Sequence, residues 1–264
     1  MELGMAVTIV LACEEFLNIN LYKAFCTRML FYLQNEINNS SLILLIKNMS
    51  EVNSIANMRR VYQLQSLLEE DVNADPIKQF KNWWMHAIET KVEEPNAMTL
   101  ATCNAFAKPS ARIVLLKEIK ENGFVFFTNY RSRKANDIEE NGFAALVFFW
   151  KELERQVRIE GQVKKVSSEE SDEYFSKRPR ESQIGAWSSP QSSIIENREF
   201  LQKNVMKYNQ KFHTGKVPRP DFWGGYIVEP TIIEFWQGRP GRLHDRLRYS
   251  LSEDKSWIIN RLAP

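Results

Sequence analysis

The sequence predicts a mainly β fold with peripheral helices, an α+β arrangement built on a closed antiparallel barrel, and three observations carry that expectation. Apolar runs bounded by turn residues recur from residue 97 to 150. A period of two follows over Val157, Ile159, Gly161 and Val163, and the strands succeed one another without regular βαβ alternation.

The first element expected is a helix. Asp75 followed by Pro76 is an N-cap and first-turn signal, and Ile77, Phe80, Trp84, Ala87 and Ile88 recur at helical spacing, so an amphipathic helix runs to about Glu89. After Pro95 the runs AMTLATC (97–103), ARIVLLKEI (111–119), FVFFTN (124–129) and FAALVFFW (143–150) read as strands, with ENG at 121–123 closing a hairpin. Val157 to Val163 alternate with Arg158, Glu160, Gln162 and Lys164, a strand with one wet face. Ser167 and Glu170 form a capping box for a helix through Tyr174, a second helical stretch runs from Pro190 to about Phe212, and short strands return from Gly225 to Leu262.

A hydrophobic content of 44% over 264 residues supports a sizeable core. Residues 1–57 carry three basic residues (Lys23, Arg28, Lys47), five acidic ones and the polar stretch NNSS, and regular elements begin only after Met58. The expected division is therefore an N-terminal extension over 1–57, poorly ordered or peripheral, and a working domain over 58–264. The balance of 35 basic and 33 acidic residues lacks the footprint of a nucleic-acid binder. No apolar run approaches the roughly 18 residues that span a bilayer, so no membrane role is expected. Cys13, Cys26 and Cys103 form no CxxC, and His86, His213 and His244 stand far apart, which predicts neither disulfide nor metal and points to a reducing, cytoplasmic setting.

The glycine loops GxGxxG and GxxxxGK with Ser or Thr are both absent, so side chains must hold any phosphate. Candidates are Arg131, Arg133 and Lys134 in RSRK, Lys117 at the end of RIVLLK, and Arg178, Arg180 and Ser182 in KRPRES, because arginine forks and lysine charges suit phosphate oxygens. Each cluster alone also fits a solvated basic face. WQGRPGRLHDR (236–246) packs a tryptophan, three arginines, a histidine and an aspartate together and suits something planar and anionic.

These motifs, in one order, resemble the pyridoxine 5'-phosphate oxidase family over about residues 58–264: RIVLLK, FFTNYRSRKA, ERQVRIEG, YFSKRPRESQIGAW, PQSS, FWGG, EFWQGRPGRLHDR and the terminal RLAP. The resemblance implies a flavin mononucleotide (FMN) binding split barrel that works as a homodimer with FMN at the subunit interface. It implies FMN contacts at Arg112, Ile113, Val114, Leu115, Phe127, Thr128, Arg133, Lys134, Gln156, Gln191, Ser192, Trp236 and Arg246. It implies that Lys117, Tyr174, Arg178 and Ser182 hold a substrate phosphate, with Arg242, Leu243 and His244 near the pyridine ring and Arg242 and His244 as the catalytic pair. RRVY, that is Arg59, Arg60, Val61 and Tyr62, matches the family's mobile lid. The reaction implied is oxidation of pyridoxine 5'-phosphate or pyridoxamine 5'-phosphate to pyridoxal 5'-phosphate, with O2 as acceptor and H2O2 released. Phe127 departs from the pattern where a tyrosine would add a hydroxyl. The competing readings are a non-catalytic flavin or pyridoxal phosphate binding protein, which would not need a ring-side arginine and histidine, and a β-rich interaction protein whose basic clusters are solvated faces.

Overall fold

Residues 62–264 are described in this computed structural model, so Arg59, Arg60, Val61 and the expected extension lie outside the described residues. Helix α1 (Pro76–Glu89) starts where Asp75 accepts hydrogen bonds from the amides of Ile77 (2.8 Å) and Lys78 (3.3 Å). Its buried face is Ile77, Phe80, Trp83 and Ala87, while Ile88, expected in the core, is half exposed. Strands β1 (Ala97–Cys103), β2 (Pro109–Leu115), β3 (Glu118–Lys120) and β4 (Gly123–Asn129) follow, then helix α2 (Arg133–Asn141), which the sequence reading did not anticipate. Gly142 ends α2 in the left-handed conformation, φ +76°, which glycine adopts without steric cost.

Strands β5 (Phe143–Trp150) and β6 (Arg155–Lys165) precede three helices, α3 (Ser168–Lys177), α4 (Arg180–Ser188) and α5 (Arg198–Lys211). The capping box on α3 is present in both directions, each bond 3.1 Å. The stretch expected to be helical from Pro190 becomes helical only at Arg198, where the Asn197 side chain accepts from Phe200 N, and residues 190–196 are irregular, with a turn at Gln191 and Ser192. The end is not a set of short strands alone: β7 (Trp223–Gln237) is 15 residues long, and β8 (Asp245–Leu251) and β9 (Trp257–Arg261) follow it.

The strands form one antiparallel sheet in the order β2-β1-β5-β6-β7-β4-β3, with β8 on β7 and β9 on β8. The two ends of that order, β2 and β3, are consecutive in sequence, so the sheet curls on itself, but β2 bonds only β1 and β3 only β4, which leaves the expected closed barrel split between them. The expected single strand over 111–119 is broken for this reason. Leu116 N bonds Asn96 O beside β1, whereas Lys117 N bonds Val125 O on β4 (both 2.8 Å), so the chain changes neighbour between two residues. One edge of β7 is shared, β4 pairing with Trp223–Val228 and β8 with Ile232–Gln237. The sheet forks between them at Pro230, which has no N–H to donate. Next to the fork the register with β6 slips, Glu160 pairing with Ile232 and Gly161 with Pro230, so Thr231 is the extra residue of a bulge on β7, and a Cβ on Gly161 would stand 2.0 Å from Glu229 O.

The core lies inside this curl. Phe80 from α1 is fully buried among Phe124 (4.8 Å between ring centroids), Phe148 (5.0 Å) and Trp150 (5.9 Å). A second, smaller cluster of Phe175, Ile184, Phe212, Val217 and Trp223 packs α3 and α4 against the start of β7. The segment before α1 is tied down by charge: the Glu154 carboxylate accepts from Gln63 N (2.8 Å) and Leu64 N (3.2 Å), and Asp245 from Leu67 N (3.1 Å). Replacing Phe80 by Ala should cost about 3–5 kcal/mol of stability, the range for emptying an aromatic site in a core. Urea unfolding would show this as a lower midpoint with an unchanged slope.

Candidate functional site

A cavity of about 640 Å³ opens beside the free edge of β2. Arg112, Ile113, Val114 and Leu115 line it from β2, Lys117 from the β2–β3 link, Phe127, Thr128 and Asn129 from β4, and Lys134 from α2. Tyr174 and Lys177 reach it from α3, Arg178 and Pro179 from the α3–α4 link, Ser182 from α4, then Gln191 and Trp223. Because β2 pairs only with β1, alternate backbone N–H and C=O groups along its other edge have no strand partner among the described residues.

The lining carries five cations and no carboxylate. Lys134 is 9% exposed, and its Nζ donates only to neutral oxygens: Thr128 Oγ1 (3.2 Å), Ser132 Oγ (3.2 Å) and Gln191 Oε1 (3.0 Å). Burial, then the nearby Arg112 charge, pushes its amine down to about 8. Arg112 donates to Leu100 O (3.0 Å), Thr102 Oγ1 (2.8 Å) and Ser110 Oγ, and stands 3.8 Å from Asp137. Burial of Asp137 opposes its charge, but hydrogen bonds from Thr102 (2.6 Å) and Ser110 (2.8 Å) and the Arg112 charge together hold it below the usual carboxylate range. The Arg178 guanidinium lies over Trp223 (4.5 Å) and Phe175 (5.6 Å), its Nη1 is buried without a hydrogen-bond partner, and burial lowers its proton affinity.

One wall is aromatic. Phe127 stacks on Tyr174 at 3.9 Å and 10°, and on Trp223 at 5.6 Å and 11°. Gly225 makes room for this, since a Cβ there would meet the Phe127 ring at 2.7 Å. The missing Phe127 hydroxyl therefore coincides with a ring used for stacking.

The cavity gathers most of the residues singled out from sequence, and the others stand elsewhere. Arg133 and Ser192 are exposed outside it. Gln156, Trp236 and Arg246 face one another across β6, β7 and β8, as register partners Gln156↔Trp236↔Arg246. Trp236 touches His244 (4.7 Å) and Tyr62 (5.6 Å), and Tyr62 also reaches His244 (5.8 Å). His244 Nδ1 accepts from Arg239 N (3.1 Å), which leaves Nε2 as the N–H; burial, then the Arg242 charge, lowers its pKa, so the ring is neutral at pH 7. Arg242 and Leu243 are exposed, and Arg242 is left-handed with φ +63°. Within one chain the expected site is thus two clusters. Asn129, Lys177, Pro179 and Trp223 line the cavity unforeseen as contacts, though each belongs to a motif quoted above.

Residues 85–212 match the family described as pyridoxamine 5'-phosphate oxidase, and residues 223–264 match the pyridoxine 5'-phosphate oxidase C-terminal dimerisation region. The chain belongs to the pyridoxamine 5'-phosphate oxidase family. A pyridoxine/pyridoxamine 5'-phosphate oxidase of Cyanothece sp. is 54% identical over 211 residues, 80% of this chain and 99% of the relative. Its namesake in Cupriavidus pinatubonensis is 54% identical over 210 residues, again 80% and 99%. Among solved structures, PhzG from Burkholderia lata 383 in complex with tetrahydrophenazine-1-carboxylic acid superposes with a TM-score of 0.72 at 30% identity, over 76% of this chain and 100% of that one. The oxidase family match embraces both clusters: the first region holds all of the cavity lining except Trp223, and the dimerisation region holds Trp223, Trp236, Arg242, His244 and Arg246. Among the described residues no helix is long and apolar enough to cross a membrane.

Lys134 gives the cavity a pH signature. An anion stabilises the charged amine and raises its pKa from about 8 toward the ordinary 10.5. Anion affinity should therefore be independent of this group below about pH 8 and fall by up to about tenfold per pH unit between there and 10.5. Titrating the protein with a phosphate monoester from pH 7 to 10 measures that slope, and Lys134→Met should flatten it.

Proposed function

We propose that this chain oxidises pyridoxine 5'-phosphate or pyridoxamine 5'-phosphate to pyridoxal 5'-phosphate, with FMN as cofactor and O2 as acceptor. The carrying observation is a cavity lined by five cations and no carboxylate, next to a stack of aromatic rings. Two ligands each bearing a phosphate need that much positive charge, and a flavin ring needs apolar walls and donors along one edge. The buried Arg178 Nη1 without a partner and the desolvated Lys134 amine both fit an anionic ligand.

In this reading Arg112 to Leu115, Phe127, Thr128, Arg133, Lys134 and Gln191 hold FMN, and Lys117, Tyr174, Arg178 and Ser182 hold the substrate phosphate. Bound FMN would supply the two-electron acceptor for the hydride from C4', with O2 as final acceptor giving H2O2, and with pyridoxamine 5'-phosphate water would take the place of the amino group, which leaves as ammonia. The protein's contribution is position. The phosphate grip anchors one end of the substrate, while Arg242 and the Nε2–H of His244 orient the pyridine ring at the other. Orientation is the larger effect in this reading, because the His244 Nδ1 lone pair already accepts from Arg239 N and the ring offers the substrate a donor, not a base.

The second cluster enters through a second copy of the chain. Trp223 and Trp236 are separated by thirteen residues on β7, about 40 Å of extended strand, so a single protomer does not bring both to one small ligand. A homodimer with FMN at the subunit interface resolves this: the cavity of one protomer, with Ser192 following Gln191 at its edge, meets Gln156, Trp236, Arg242, Leu243, His244 and Arg246 of the other. Exposed apolar side chains support such pairing: Ile113 (64%) on β2 and Phe149 (52%) on β5, with Leu243 (74%) on the turn before β8.

Incubating the purified yellow protein with pyridoxine 5'-phosphate in air should yield the aldehyde and peroxide in equal amounts; a protein that binds flavin yet produces neither would sink the oxidase reading. Arg242→Ala should lower kcat/KM on the order of 100-fold, about 2.7 kcal/mol of transition-state stabilisation, with KM raised and kcat reduced together. Phe149→Glu should give a monomer by light scattering and weaken FMN retention, and a dimer that keeps its flavin would contradict the shared site.

A further inference from the structure

Glu234 sits on the outer face of β7, between Ile232 and Trp236, where a carboxylate is ordinarily wet. It is nevertheless only 5% exposed. Arginines cover it: Arg158 on β6 and Arg248 on β8 are its register partners, and Arg246 lies two residues from Arg248 on the same face of β8. The three are not equivalent. Arg158 reaches Glu234 at 3.5 Å and has its own partner in Glu160 at 2.7 Å, while the buried Arg248 Nε makes no hydrogen bond. Arg246 alone grips Glu234 with two parallel bonds, Nε to Oε1 at 2.9 Å and Nη2 to Oε2 at 3.0 Å.

The remaining nitrogen of Arg246, Nη1, donates to Ala263 O at 2.8 Å, and the Arg246 carbonyl accepts from Leu262 N at 2.9 Å. Every nitrogen of the guanidinium is thus engaged. Its plane is set by a carboxylate on one side and by the terminal RLAP segment on the other. A free arginine side chain samples many rotamers, and this one is restricted to a single orientation beside Trp236.

We propose that Glu234 is a positioning residue for the flavin: it acts through Arg246, fixing the guanidinium that meets the cofactor, with the last residues of the chain as the second half of the clamp. This rests on the reading above, in which Arg246 contacts FMN. The carboxylate does not touch the flavin itself, and it tempers the positive charge of three neighbouring arginines, so the cofactor meets an oriented donor in place of a diffuse cationic face.

A double-mutant cycle tests this on the apoprotein, with FMN uptake followed by quenching of flavin fluorescence in wild type, Glu234→Ala, Arg246→Ala and the double variant. Each single change should weaken FMN binding by about tenfold or more, and the double variant should bind like Arg246→Ala, because Glu234 has nothing left to act through. Losses that multiply, or a Glu234→Ala protein that binds as wild type, overturn the proposal. If Glu234→Ala fails to fold, Glu234→Gln keeps the volume and one accepting oxygen. Its bound-flavin absorption spectrum should shift toward that of Arg246→Ala, whereas a lowered Tm with an unmoved spectrum assigns Glu234 a merely structural role and overturns the proposal. Wild-type protein that takes up no FMN removes the oxidase reading and this inference together; wild type that binds FMN, with Arg246→Ala binding equally well, removes this inference alone.

Discussion

Desolvated positive charge without a carboxylate to answer it is the constraint on which the rest of the structure depends. Lys134 is surrounded by a hydroxyl pair and an amide, and Arg178 by ring faces. Burying a cation among neutral groups is unfavourable, and folding tolerates it only where a large apolar core offsets the cost. The phenylalanine and tryptophan cluster around Phe80 is that core, placed inside the curl of the same sheet whose edge carries the cations. Asp137 shows the alternative. It faces Arg112 from behind, where it steadies the guanidinium without neutralising the cavity.

The arrangement is directional as well. Cations approach from β2, α2 and the α3–α4 link, while the rings of Phe127, Tyr174 and Trp223 lie nearly parallel to one another. A ligand with a charged end and a flat apolar body satisfies both walls at once, and family membership agrees with that chemistry. The cluster around Trp236 and His244 has the opposite character, being open, aromatic and rimmed by exposed Arg242 and Leu243. Two clusters of different chemistry on one chain suit the proposed pairing, in which each copy would complete the other's site.

Signals that act within a few residues were legible in the sequence. The Asp75-Pro76 cap, the Ser167/Glu170 box and the apolar runs of β1, β4 and β5 all appear in the fold, because each is decided by neighbours in the chain. What was not legible depended on distant partners. Nothing apolar or polar about Leu116 and Lys117 marks the break between β2 and β3, which exists because one amide answers Asn96 and the next Val125. Helix α2 was hidden because its first turn reads as a phosphate-binding cluster, although Ile138 followed by Gly142 was an available signal for its end. Most residues that the motifs singled out come together at one cavity, and their division into two clusters could not be seen, since it is set by which half of β7 each neighbour pairs with.

The curl of the sheet also ties the site to a long-range pairing. Phe126 and Tyr226 are register partners a hundred positions apart along the chain, so the β4–β7 ladder forms only by closing a long loop, at an entropy cost that shorter loops do not carry. Trp223 and Thr128 take up their places only with that ladder. The pocket therefore exists only where that ladder is formed, and any small molecule that occupies it stabilises the folded form, increasingly as its concentration rises above its Kd. On the proposed function, cofactor supply would in this way set how much of the polypeptide stays folded as well as how fast it works.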